Sequence, residues 1–143
     1  MSRESRMMTG VIFISMPSIM YGGYFLLGVL SGAYPELELN EFQRSMFRAG
    51  HAHAGVLVIL SIIVQLLVDH SSLNPLGKWW VRIAFPTAAL LISGGFFFSA
   101  IGDGIQEPNA WIYVLYAGII LLALSMILLG LGLIRKPKFS PKS

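Results

Sequence analysis

The chain has 143 residues, 55% of them hydrophobic and only 12% charged, with ten Lys and Arg against seven Asp and Glu. Soluble globular domains carry about a quarter charged residues, so this composition excludes an ordinary water-soluble enzyme and points to the bilayer. The absence of cysteine excludes disulfides, thiolate-bound metals and a covalently attached c-type heme. Any metal or heme here must rest on nitrogen, oxygen or thioether ligands.

The apolar residues fall into four blocks, near 8–31, 49–68, 81–101 and 111–134. Each meets the roughly 20 residues that a helix needs to cross a bilayer. The first block follows a basic start, but it is too long for a cleavable leader and no small-x-small site follows it. It is expected to remain as a span, with Pro17 inside it, Gly22, Gly23 and Gly28 in its outer half and Gly32, four residues after Gly28, just past its end. The loop after it carries Asn40-Glu41-Phe42-Gln43, the form of a capping box. Leu39, Phe42 and Met46 recur at helical spacing, so the second helix is expected to begin at about Glu41. From there to Val68 it would be roughly 40 Å long, and its first turns would stand clear of the hydrocarbon.

The third block contains Pro86, Gly94 and Gly95, and Asp103-Gly104 with Glu107-Pro108 reads as a turn before the fourth. Short second and third loops predict antiparallel neighbours. The expected fold is therefore all-α: a single transmembrane domain forming an integral membrane four-helix up-down-up-down bundle. The glycines suit either close helix packing or the approach of a flat ligand.

Charge sorts by loop. Arg3, Arg6, Lys78, Arg82, Arg135, Lys136, Lys138 and Lys142 fall at one set of ends; Glu36, Glu38, Glu41, Asp103 and Glu107 fall at the other with Arg44 and Arg48. The positive-inside rule predicts both termini in the cytoplasm, in the inner (cytoplasmic) membrane of the cell. Trp79, Trp80, Trp111 and Tyr34 sit at span ends as interfacial anchors. The basic balance follows this topology, and no nucleic-acid partner is expected.

One stretch carries chemistry: Phe47-Arg48-Ala49-Gly50-His51-Ala52-His53-Ala54-Gly55, at the outer lip of the second span. Residues two apart on a helix point about 200° from one another, so one metal ion cannot easily take both histidines. Phe47, Arg48 and Gly55 share the face of His51; Ala49, Gly50 and Leu57 share that of His53. Small residues beside His53 suit a flat macrocycle or close helix packing. The histidines read either as cofactor ligands or as interfacial side chains with a local structural role. His70, seventeen residues from His53, lies about 25 Å away along the helix and belongs to another site. No glycine-rich phosphate loop and no Ser-His-Asp set can be argued from position.

The segment Arg48-Ala49-Gly50-His51-Ala52-His53-Ala54-Gly55 resembles the A-H-x-G segment that opens the second helix of the styrene oxide isomerases, small four-helix membrane enzymes. The likeness extends loosely to residues 24–32 and to Gly95-Phe96-Phe97-Phe98. It implies a homo-oligomer, a trimer, with heme b between adjacent subunits. In that family ferric iron acts as a Lewis acid that opens an epoxide toward an aldehyde. By position the axial ligand falls on His53, while the family's catalytic asparagine and tyrosine fall on Ile59 and Phe97. An isoleucine cannot orient an oxygen and a phenylalanine cannot donate a proton.

A weaker resemblance, to the second helix of the heme-copper oxidases, matches Arg48 and His51 and would make His51 the ligand. The two resemblances disagree on the ligand, and the first spans more residues, so His53 is the expected ligand, with Ala49 and Gly50 as the floor beside it and Arg44 or Arg48 pairing with the propionates. Both arginines suit solvation or pairing with Glu36, Glu38 or Glu41 equally well. A single neutral imidazole leaves one face of the iron open to a diatomic gas or a small apolar molecule. Tyr21, Tyr24, Tyr113 and Tyr116 are candidate hydrogen donors to such a ligand, or ordinary packing tyrosines. Two other classes stand beside this reading. One is a non-heme metal-binding or transport protein using His51, His53, Asp103 and Glu107; the other is an accessory membrane subunit without a cofactor.

Overall fold

The computed structural model describes residues 1–135. Lys136, Lys138 and Lys142 of the basic set lie outside them. Among the described residues there are four helices and no strand: α1 (Arg3–Leu30), α2 (Glu41–Val68), α3 (Pro75–Ser99) and α4 (Ile112–Ile134). All four are long and apolar enough to cross a membrane.

Local signals fix most helix ends. At α2 the capping box forms in full: Asn40 accepts from the Gln43 amide at 2.9 Å while the Gln43 side chain accepts from the Asn40 amide at 3.2 Å. Helix α3 begins six residues before its apolar block. Asn74 caps the Gly77 amide at 2.7 Å, and Pro75 occupies the first turn, where its missing amide costs nothing. Helix α1 ends in a left-handed stop. Gly32 has φ +78°, its amide donates to the Val29 carbonyl, and the Ala33 amide donates to the Gly28 carbonyl. The Gly28 and Gly32 spacing thus belongs to a helix terminus, with the Tyr34 ring lying against Gly28.

Helices α2, α3 and α4 share the core. Val64 and Val68 of α2 pack with Val81 and Phe85 of α3 and Leu129 of α4, and further out Leu57 packs with Ala89, Ile92 and Leu115. The α3–α4 contact is unusually close. A Cβ added at Gly95 would sit 2.6 Å from the Leu115 backbone nitrogen, and one at Gly118 would sit 3.0 Å from that of Ile92. Helix α1 lies to one side, packed on α2, and buries only Ser5, Ile12, Leu26 and Val29.

Polar groups tie the two ends of the molecule. At one end the Ser2 amide (2.6 Å) and the Ser5 hydroxyl (3.0 Å) donate to the Asp69 carboxylate, which also pairs with Arg82 at 2.6 Å. Among the described residues this is the only ion pair. Beside it the Ser72 amide donates to the Gly132 carbonyl at 2.7 Å. At the other end the Gln43 amide group donates to the carbonyls of Ala100 and Gly102, and that of Asn40 to Ile105. Asn109 donates to the Phe98 and Ile101 carbonyls. At the C-terminus of α3 the Phe98 carbonyl thereby gains a side-chain donor, and the Ser99 carbonyl accepts from the Asn109 amide.

Burial disfavours the charged form of Asp69, yet the hydrogen bonds from Ser2 and Ser5 and the Arg82 guanidinium outweigh it and lower its pKa from 3.8 to about 2. A depressed carboxylate stabilises the fold above its unfolded pKa, and that stability is lost as pH falls through the folded value. The contribution, about 2 kcal/mol, should therefore disappear between about pH 4 and pH 2 in acid titrations of thermal stability. Asp69→Ala leaves a buried guanidinium uncompensated and should cost about 3–5 kcal/mol, with much of the loss recovered in Asp69→Ala/Arg82→Met. Gly95→Ala should cost about 1–3 kcal/mol because the α3 and α4 backbones must separate. Gly130→Ala, where a Cβ meets nothing within 4 Å, should be near neutral in the same thermal scans.

Candidate functional site

The two histidines of α2 lie on different seams. His51 turns toward α1, where the absent side chain of Gly23 makes room for its ring: a Cβ there would stand 2.7 Å from His51 Nε2. His53 turns toward the outer edge of the α2–α3 contact. Its ring lies 4.9 Å from that of Phe96, tilted by 32°, and it remains exposed.

The protonation of His53 follows from its neighbour. Nδ1 is 2.7 Å from the Ala49 carbonyl oxygen. A carbonyl only accepts, so Nδ1 carries the hydrogen and donates it. That tautomer leaves the Nε2 lone pair free, and the hydrogen bond fixes the ring's orientation. A metal-ligating histidine is commonly held in this way by its second nitrogen. Among the described residues neither ring nitrogen of His51 makes a hydrogen bond.

Gly50 is covered. The Phe96 and Phe97 side chains of α3 close over it, so a Cβ would meet them at 3.0–3.1 Å. Its small size serves the α2–α3 contact, and a molecule approaching His53 from outside meets Ala49, Ala52 and the edge of Phe96 instead. Ala52 is exposed and Ala49 half-buried. Arg48 is exposed and unpaired, whereas Arg44 uses its Nε to donate to the Leu39 carbonyl at 2.9 Å. Neither arginine pairs with Glu36, Glu38 or Glu41, since Arg82–Asp69 is the only ion pair among the described residues.

The remaining candidates are dispersed. Ile59 is exposed, and the Phe97 ring lies 5.5 Å from that of Phe47. Tyr21, Tyr24, Tyr113 and Tyr116 are all exposed, the last two as an edge-on pair at 6.1 Å. His70 is exposed just past the end of α2. Among the described residues no group of three or more His, Cys, Asp or Glu side chains gathers to hold a metal ion. His51, His53, Asp103 and Glu107 thus form no common cluster.

Two features were not anticipated from the sequence. The first is the Asp69–Arg82 pair; its signal was an arginine inside the third apolar run, which demands a partner. The second is a pair of cavities along the α1–α2 seam. One of about 300 Å³ lies on the Phe47 side of His51, and one of about 190 Å³, lined by Met16, Met20, His51 and Gly55, lies on the other. Nothing in the linear pattern distinguishes an incompletely filled seam from a filled one.

The described residues define a multi-pass, all-helical membrane protein with an exposed, oriented imidazole near one end of α2. Compared with family models, with curated proteins and with solved structures, the chain matches none.

The Ala49–His53 bond carries a prediction. Nitrogen-15 spectra of labelled protein should show His53 as the Nδ1–H tautomer, with an unprotonated Nε2 at pH values where the ring is neutral. Replacing Gly23 with Val should displace the His51 ring and leave the His53 resonances in place.

Proposed function

We propose that this chain is a heme b-binding membrane protein in which His53 is the axial ligand and the iron keeps an open position for a small neutral molecule. The observation that carries the reading is the Nδ1 bond of His53 to the Ala49 carbonyl at 2.7 Å. It presents Nε2 outward from an exposed imidazole on a helix lip of small residues. The donor set fits the group. An imidazole nitrogen is a usual heme ligand; the exposed Arg48 is a free cation, but it stands about 140° around α2 from His53, so only a propionate reaching around the helix would meet it.

Neither cavity in the α1–α2 seam reaches His53. A macrocycle at this histidine therefore needs a second apolar wall, which an adjacent subunit of a trimer would supply. When bound, the group supplies a Lewis-acidic or gas-binding iron. This chain's own residues orient the ligand nitrogen through Ala49, shield it on one side with Phe96 and offer Arg48 for charge. Ring opening of an epoxide, the chemistry of the styrene oxide isomerases that the segment resembles, lacks its polar assistants here, because Ile59 and Phe97 stand in their places. Binding of a diatomic gas or a small apolar molecule suits these residues better than isomerisation.

The proposal includes orientation. The helices run up-down-up-down in the inner membrane with both termini cytoplasmic, so His53 lies on the outer side. Two observations support it. Ser2, Asp69, Ser72 and Gly132 meet at one end, while Asn40, Gln43 and the residue 100–109 loop meet at the other. The basic loops also cluster with the first end.

Protein purified in detergent should show a Soret band, or acquire one with added hemin. His53→Ala should lose most of it, His51→Ala should retain it, and Arg48→Ala should weaken hemin affinity by about tenfold. A colourless protein that gains no Soret band with hemin would overturn the proposal.

A further inference from the structure

The smaller cavity of the α1–α2 seam, about 190 Å³, lies apart from the His53 site. Two facing stripes build it. Met16, Met20 and Gly23 recur along α1 at i, i+4 and i+7, and His51, Gly55 and Val58 do the same along α2. Positions so spaced share one face of a helix. The stripes touch where the His51 ring lies against Gly23. Beyond that contact Met16, Met20, His51 and Gly55 border the cavity together, and Ile19, Val58 and Ile59 complete its walls. Gly55 leaves it open, since a Cβ there would meet no atom within 4 Å.

His51 is the polar member of this lining. It is half-buried between the two helices, yet among the described residues neither ring nitrogen makes a hydrogen bond. Enclosed polar groups ordinarily have a partner, and the side-chain heteroatoms beside this one are two thioether sulfurs, which are weak acceptors. An uncharged imidazole and two thioethers do make a set of neutral metal donors. Thioethers select soft Cu(I), and copper is also among the metals that imidazole suits. No carboxylate or thiolate lines the cavity, so a divalent ion would keep its full charge against apolar walls, at a high desolvation cost. A monovalent ion keeps half of that charge. We propose that Met16, Met20 and His51 bind one Cu(I) ion through two thioether sulfurs and one imidazole nitrogen. Met20 is 72% exposed, and the unbranched, freely rotating side chain of a methionine lets its sulfur turn into the cavity. The site therefore closes on its ion rather than standing preformed. It is distinct from the His53 surface, because the two histidines face different seams.

The test is an anaerobic titration of the full chain, free of heme, with Cu(I) supplied as its bicinchoninate complex, whose colour reports the metal withdrawn. One equivalent should pass to the wild type, and excess Zn(II) should not displace it. Met16→Leu and Met20→Leu conserve volume and apolarity. Each should keep the wild-type melting temperature and weaken Cu(I) binding at least about tenfold. His51→Ala should lose the site. His53→Ala should keep it, so that the outcome is independent of the heme reading. In nitrogen-15 spectra Cu(I) should shift one ring nitrogen of His51 in the wild type and leave it unmoved in Met16→Leu/Met20→Leu. Undiminished Cu(I) uptake by that double variant would assign the metal to adventitious donors and overturn the proposal. So would loss of uptake in His53→Ala, displacement by Zn(II), or a wild-type chain that withdraws no Cu(I).

Discussion

A bilayer offers no hydrogen-bond partner, so each polar group drawn into the apolar mass must find one inside the protein. The Arg82 guanidinium is the most demanding of these, being only 4% exposed. Its answer is Asp69, oriented by Ser2 and Ser5. Three helices therefore converge on one carboxylate: α1 through its first turn, α2 through its C-cap and α3 through Arg82. This pair sets the register of α1 against α2, and the rest of the seam follows. One helical turn after another along α1 meets α2 in reverse order, until Gly23 lies against His51. The position of that imidazole, more than 20 Å from the ion pair by helical rise, depends on which turn of α1 is pinned at the other end.

The two histidines then acquire different characters from a separation of two residues. His51 is enclosed between helices, against a glycine and beside a thioether-lined void. His53 is turned outward with its tautomer set by the carbonyl one turn before it. Helical geometry alone separates them, and local packing gives each its surroundings. The same division runs through the small residues. Gly50, Gly95 and Gly118 are consumed by contacts between α2, α3 and α4. Gly22 and Gly55 border empty space on the α1 side. The tightly packed half of the protein and its unfilled half meet at α2.

Much of this was legible in the sequence because it is local. The capping box at Asn40 and Gln43 and the apolar blocks all act within a few residues, and the helical period separates the faces of His51 and His53; the Asn74-Pro75 start of α3 was just as local but lies ahead of the apolar run that marked the third span. Contacts across the fold were not legible. Arg82 read as a loop cation because its partner lies thirteen residues away, across a turn. Gly32 read as part of a packing pair, since four-residue spacing serves a helix face and a helix terminus alike. Gly50 read as open floor because the phenylalanines that cover it belong to α3. The cavities had no signature at all, for they depend on how well α1 fits its neighbours.

The Ser2 and Ser5 contacts also constrain how the protein is made. They join residues 64 to 80 positions apart in the chain. The first helix leaves the ribosome well before Asp69 and Arg82 exist. During that interval α1 has neither its clamp nor its seam, and it must enter the bilayer on hydropathy alone. Its polar first turn waits at the membrane surface until α3 arrives. Of the four helices α1 is synthesised first, yet its polar contacts are among the last to be locked.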